Sequence, residues 1–285
     1  MKDSFKENTK YSVLLPVYAK DNPEWLRIAI DSMVNQTLPP DEIVIAVDGP
    51  VTDELAFVIK EYEANEDLFN ICWFEENEGL GATLRKTVPL CRNEYIARMD
   101  ADDYSIPVRC EIQMKYLNEH KDVGVCGSYI SEFIDDMDNI VAIRKVPSNH
   151  DEIVKFSKRR CPTNHPTLIC KKTDIIDAGN YNSEINGPSD YEIIVRMIQN
   201  GTKIHNINKP LLNFRANENM YKRRGGIAQL KMIYKVQRSF YASGFHSTRF
   251  IFYLRFLPYV FSCFAPNWMR KLIYMKLLRS KASIE

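Results

Sequence analysis

Four short apolar runs alternate with three helical patterns between Tyr11 and Met99. Strands separated by a helix's length of chain cannot close as hairpins, so they pair in parallel through crossovers. The runs are Tyr11–Val17, Glu42–Asp48, Phe69–Phe74 and Glu94–Met99. Asn22 is suited to cap a helix with Pro23 in its first turn, and Trp25, Leu26, Ala29, Ile30, Met33 and Val34 recur at the spacing of one helical face. Helices are also expected over about Asp53–Ala64 and Leu80–Leu90. The prediction is an α/β fold with a mainly parallel sheet flanked by helices.

After Met99 the rhythm loosens. A helix near Val108–His120, strands at Val123–Ser131, Ile140–Val146 and Thr167–Lys171, and helices around Ile153–Arg160 and Ser189–Gln199 are expected. The Gly225-Gly226 pair in a polar, basic stretch marks a boundary, giving a domain over 1–224 and a helical region over 225–285, with helices at roughly Ile227–Ala242, Ser247–Leu257 and Asn267–Arg279. A total charge of +1 conceals an asymmetry across this region: residues 1–221 carry −11 and residues 222–285 carry +12. A hydrophobic share of 45% and a charged share of 26% are those of a globular chain, which excludes disorder and a polytopic membrane protein. The seven cysteines form no CxxC pair, the first ten residues lack the apolar stretch of a secretory signal, and the longest uncharged run, Phe256–Met269, holds two prolines. A cytoplasmic protein without a disulfide framework, zinc site or membrane span is expected.

Asp100, Asp102 and Asp103 crowd three carboxylates into four positions at the end of an apolar strand. Like charges there repel unless a cation joins them, and carboxylate oxygens suit Mg²⁺ or Mn²⁺. A solvated acidic turn is the rival reading. A calcium loop of EF-hand type fails because Tyr104 and Ser105 stand where a ligand and a glycine are needed. Asp48, before Gly49-Pro50, belongs on the same carboxyl edge of the sheet, where open α/β sheets bind ligands. Glu75–Gly81 ends the third strand on that edge, and its glycines permit a close backbone approach or a helix cap. Neither GxGxxG nor GxxxxGK[ST] occurs, which weakens dinucleotide and P-loop readings.

The order of these pieces resembles the family 2 glycosyltransferases of GT-A fold. The matching segments are SVLLPVY at 12–18, EIVIAVDGP at 42–50, NEGLGATLRKTV at 77–88, YIARMDADD at 95–103, HPTLICKK at 165–172 and GPSDYEIIVRM at 187–197. The resemblance implies a nucleotide-binding, Rossmann-like sheet with a UDP-sugar as donor. Pro16 and Tyr18 then belong to the donor site, with Asp48 on uracil and Asn77 and Gly79 in the adjoining loop. Asp100-Ala101-Asp102 resembles the DxD element, with Asp100 near the ribose and Asp102, aided by Asp100, on a Mn²⁺ or Mg²⁺ that bridges the diphosphate. Arg98 faces the nucleotide or makes a structural ion pair. Asp190 matches the catalytic base, which takes a proton from the acceptor hydroxyl and gives inversion. Relatives have Glu before this Asp and this chain has Ser189. His165 is a second catalytic candidate, and Arg223 and Arg224 suit a diphosphate or a solvated loop.

The implied reaction is transfer of a sugar to a glycan or lipid-linked glycan in bacterial surface polysaccharide synthesis. The basic tail reads as amphipathic helices on an anionic membrane surface at the inner face of the cell membrane, or as a subdomain packed on the acidic body. Nucleic acid is not the expected partner. Rival functions are a catalytically inactive glycosyltransferase-like binding protein and a sugar-phosphate nucleotidyltransferase. The second needs a glycine-rich basic loop after the first strand, which Pro16–Asp21 is not. No QxxRW follows Asp190, which disfavours processive synthesis.

Overall fold

The computed structural model describes residues 9–185, 188–216, 226–245, 248–266 and 269. Strands β1 (Tyr11–Val17), β2 (Glu42–Val47), β3 (Phe69–Trp73) and β4 (Tyr95–Arg98) alternate with helices α1 (Pro23–Val34), α2 (Asp53–Glu63) and α3 (Leu80–Thr87). These are the elements that periodicity predicts. The Asn22 carboxamide oxygen accepts the amides of Glu24 and Trp25 at 2.9 and 3.1 Å, satisfying donors that the first turn leaves open.

The chain continues as β5 (Tyr104–Ser105), α4 (Arg109–Glu119), β6 (Val123–Ile134), β7 (Asp136–Arg144), α5 (His150–Ser157), a 3-10 turn at His165–Thr167, β8 (Ile169–Lys171), α6 (Lys172–Asp177), α7 (Ser189–Gln199) and β9 (Lys203–Arg215). All nine strands join one sheet in the order β3-β2-β1-β4-β8-β6-β9-β5, with β7 on β6. Pairing is parallel from β3 to β4 and again between β6 and β9; β8 runs antiparallel to β4 and β6.

Several expectations shift. The expected strand at Ile140–Val146 starts at Asp136, because β6 runs on to Ile134 and turns directly into it. The helix expected at Ile153–Arg160 opens earlier, at His150, since Asn149 caps it through the Glu152 amide. Thr167 closes the 3-10 turn, so β8 is shorter than expected. Strand β9 and the short β5 and α6 answer to no expected element.

Helices cover both faces of the sheet, and alternation within each strand feeds both layers. Val13, Leu15, Ile43 and Ile45 pack with Leu26, Ile30, Met33, Leu55, Ile59 and Met114. Leu14, Val44 and Ala46 face Leu84, Ile153, Ile175, Ile193, Ile194 and Met197.

The C-terminal region supplies α8 (Gly226–Ala242) and α9 (Arg249–Phe264). Helix α8 docks on α7: Val236 and Phe240 are buried with Ile185, Tyr191 and Val195, and the Tyr191 and Phe240 rings meet edge to face at 5.0 Å. Helix α9 lies on α8 through Phe252 and Phe256, which contact Tyr234. It passes through Pro258, where the sequence suggests a stop, so aromatic packing offsets the missing hydrogen bond. The helix expected at Asn267–Arg279, and the boundary at 224/225, fall outside the described residues apart from Met269.

Arg109 is fully buried between these layers. Its guanidinium donates to the Arg98 carbonyl at 3.2 Å and the Pro166 carbonyl at 2.6 Å, tying the exit of β4 to the turn at His165. Arg109→Ala leaves two buried carbonyls unpaired and opens a cavity, so stability in urea denaturation should fall by about 3 kcal/mol. An unchanged midpoint would mean that the strand exit is held by other contacts.

Candidate active site

The carboxyl ends of β1, β2 and β4 share one edge of the sheet, so strand order alone gathers Pro16, Asp48 and Asp100–Asp103. Pro16 lies in register with Ala46 on β2, and Tyr18 follows β1 with its amide donated to Asp21 at 2.9 Å.

Asp48 is buried, and its two oxygens accept the amides of Glu78 and Gly79 at 2.9 and 3.0 Å. Asn77 donates its side-chain amide to the Asp48 carbonyl at 3.0 Å. Asp48, Asn77 and Gly79 therefore form one unit joining β2 to the start of α3. Gly49 makes this possible: its φ is +80°, and a Cβ there would stand 2.4 Å from the Asn77 amide nitrogen.

Arg98 is buried and pairs with Asp100 at 2.6 Å, so the structural ion-pair alternative is realised. Its Nε, buried, has no hydrogen-bond partner among the described residues. Ala101 is buried, while Asp100 and Asp102 keep partial exposure. Asp103 turns inward. Its Oδ1 accepts the Arg215 amide at 3.0 Å, and burial, followed by the charges of Asp102 and Asp100, raises its pKa well above the ordinary carboxylate value. The Arg215 guanidinium donates to the Asp102 carbonyl at 3.1 Å and stacks between Trp25 and Phe133, 4.3 and 4.6 Å from the ring centres. Two partly exposed carboxylates are thus presented and the third braces the turn.

No cluster of three or more His, Cys, Asp or Glu suited to a metal occurs among the described residues. A pair of carboxylates fits Mg²⁺ or Mn²⁺, which take further oxygens from water and phosphate, and does not make an all-protein cage.

His165, in the 3-10 turn beside β4, is buried, with Nε2 3.0 Å from the Tyr181 hydroxyl. Burial, then the neighbouring Arg98 cation, lowers its pKa to about 4, so the imidazole is neutral near pH 7. Asp190 and Asp100 also act on His165 electrostatically, and Asp190 and Arg98 act on Tyr181. The arginine and first acid of the β4 turn, the histidine and the acid opening α7 therefore share one neighbourhood. Asp190 is half-buried in the first turn of α7, and Cys161 Sγ donates to its Oδ2 at 3.7 Å. Arg196 pairs with Glu192 at 2.7 Å and donates to the carbonyls of Ala178 and Asn180, which fixes α7 against the loop before it. Arg223 and Arg224 lie outside the described residues.

Arg215, Tyr181 and Cys161 are missing from the sequence reading of the site. Arg215 ends β9, so recognising the Leu212–Arg215 alternation as a strand was the available signal. For Cys161 and Tyr181 there was no local one.

The family model for glycosyl transferase family 2 matches residues 12–175, and the chain belongs to that family. It is an enzyme of the glycosyltransferase type. An uncharacterized glycosyltransferase of Haemophilus influenzae is 34% identical over 95% of this chain and 99% of its own length. The UDP-Gal:alpha-D-GlcNAc-diphosphoundecaprenol beta-1,3-galactosyltransferase of Escherichia coli is 33% identical over 96% and 98%. The amylovoran biosynthesis glycosyltransferase AmsE of Erwinia amylovora is 31% identical over 86% and 92%. Among solved structures, S. aureus TarS 1-349 in complex with UDP-GlcNAc superposes with a TM-score of 0.63 at 16% identity, over 93% of this chain and 70% of that one. Across three TarS 1-349 structures this chain spans between 65% and 75% of the other. The fold is the GT-A fold that the sequence motifs imply.

The lowered pKa of His165 has a consequence for stability. Unfolded histidine binds a proton near pH 6.5 and the folded one only near pH 4. The contribution is therefore present above pH 6.5 and is lost as pH falls through that window, about 3 kcal/mol in all. Asp103 acts in the opposite sense and is common to wild type and variant. Urea denaturation from pH 7 to 4 should show a smaller loss for His165→Asn than for wild type, and equal losses would refute a neutral, buried imidazole.

Proposed function

We propose that this enzyme transfers a sugar with inversion from a UDP-sugar to a hydroxyl of a lipid-linked glycan during assembly of a bacterial surface polysaccharide. The observation that carries the reading is the sharing of one neighbourhood by the acid turn ending β4 and the acid opening α7. Asp100 and Asp190 both act on His165, which on this reading brings a donor-binding group and a proton acceptor near one imidazole. The E. coli relative is named for a UDP-sugar donor and a diphosphoundecaprenol acceptor, and AmsE for amylovoran biosynthesis.

On this reading Asp48, Asn77 and Gly79 shape the pocket for the base, Pro16 and Tyr18 flank it, and Asp100 lies by the ribose while holding Arg98. Asp102, with Asp100, would hold Mn²⁺ or Mg²⁺, which supplies positive charge to the departing diphosphate. Asp190 takes the acceptor proton as its oxygen attacks the anomeric carbon. Neutral His165, held by Tyr181, gives the site a polar but uncharged group near both carboxylates, and Arg223 and Arg224 serve the diphosphate.

The acceptor's lipid suggests where the enzyme works. No helix among the described residues is long and apolar enough to cross a membrane. Helix α9 exposes Phe250, Tyr253, Leu254, Leu257, Phe261 and Phe264 at helical spacing, and α8 exposes Lys231, Lys235 and Arg238. An apolar stripe beside a basic one suits an anionic lipid surface at the inner face of the membrane.

Calorimetric titration of UDP with Mn²⁺ should show binding that EDTA and Asp102→Asn each weaken at least tenfold, the loss of a charged ligand contact. Absence of UDP binding in folded protein would reject the donor class. Co-sedimentation should show more binding to phosphatidylglycerol vesicles than to phosphatidylcholine, and Leu254→Asp with Leu257→Asp should reduce it at least tenfold. Equal binding by this variant would remove the membrane role of α9.

A further inference from the structure

Cys161 stands in the segment between α5 and the 3-10 turn, outside every motif of the family resemblance, yet its sulfur contacts the acid that opens α7. Its Sγ lies 3.7 Å from Asp190 Oδ2 and 3.6 Å from both the carbonyl and the hydroxyl of Thr163. A sulfur hydrogen bond is long, and a thiol offers one proton. Three acceptors surround that proton, and only Asp190 carries a charge, which makes its carboxylate the strongest acceptor of the three.

We propose that Cys161 is a positioning residue for the catalytic base: its thiol donates to Asp190 Oδ2, fixing the carboxylate's rotation and leaving Oδ1 for the acceptor hydroxyl. This rests on Asp190 being the base. The thiol keeps its proton for this purpose. Burial first, then the Asp190 charge, pushes its pKa up to about 12, while Arg144 acts weakly in the other direction. Asp190 is in turn faced by Cys161, by neutral His165 and by the Tyr181 hydroxyl. Cys161 is thus a protonated donor beside the carboxylate.

Helix α7 cannot supply this hold unaided. Asp190 sits in the first turn, where Pro188 occupies the cap position and makes no side-chain bond to the helix amides. The buried Ser189 hydroxyl has no hydrogen-bond partner among the described residues. The thiol that reaches the base comes from across the fold, 29 positions back along the chain.

The test needs no knowledge of the natural acceptor in its first arm. The infrared S–H band assigned to Cys161, from wild type minus Cys161→Ala, should lie at lower wavenumber than a free thiol's and move upward in Asp190→Asn. A band at the free-thiol position, or one indifferent to Asp190→Asn, overturns the proposal. The second arm follows UDP release from UDP-galactose with α-GlcNAc-diphosphoundecaprenol as acceptor. Cys161→Ala should lower kcat about three- to tenfold with KM for both substrates nearly unchanged, the signature of a contact that serves the chemical step. Cys161→Ser, which keeps a hydroxyl donor, should restore most of kcat. If Asp190→Asn abolishes UDP release while Cys161→Ala leaves kcat unchanged, the base reading stands and the positioning role falls. If folded Asp190→Asn releases UDP like wild type, the base reading itself fails and takes this one with it.

Discussion

The structure depends on holding negative charge at the mouth of a buried strand. Asp100, Asp102 and Asp103 follow β4 within four residues, and at that spacing like charges act on one another strongly. Arginines from three elements answer them. Arg98 on β4 pairs with Asp100, Arg215 at the end of β9 grips the Asp102 carbonyl and the Asp103 side chain, and Arg109 on α4 clamps the strand exit from below. Apart from the local Arg98–Asp100 pair, the turn is held by contacts from distant segments.

The same economy governs the other side of the site. Helix α7 presents Asp190 at one end and a buried apolar face along its length, and α8 covers part of that face through Val236 and Phe240. The C-terminal helices are therefore partly a subdomain packed on the body, as one of the two sequence readings has it, while α9 carries the exposed apolar stripe required by the other. These readings are compatible because two helices divide the work: α8 uses its apolar residues on the protein, and α9 turns many of its own outward.

The first hundred residues were legible because each strand there is apolar on both sides and each helix repeats cleanly. Strand β9 was not. Its Asn206 is buried and donates to the carbonyls of Pro147 and Pro162, so a core position reads as a loop residue, and Lys209-Pro210 breaks the alternation at a register shift against β6. Missing β9 hid Arg215. The acids of the site were readable as residue types, and the order of motifs linked them. Strand order put the loop that gives Asp48 its two backbone amides on the same edge, but the phenol on His165 and the thiol on Asp190 come from segments that sequence spacing does not bring together.

Strand β9 also sets the order in which the molecule can be completed. The bond from the Arg215 amide to Asp103 spans 112 residues, and β9 pairs in parallel with a strand that began 80 positions earlier, at Val123. Contacts of such sequence separation form late in folding, because the loop between them closes at an entropic cost that local contacts avoid. A nascent chain can pair β1, β2 and β3 while its acid turn still lacks its counter-charge. Only when residue 215 has left the ribosome does the acid turn gain its last contacts, so the N-terminal half cannot by itself hold that turn in its final shape.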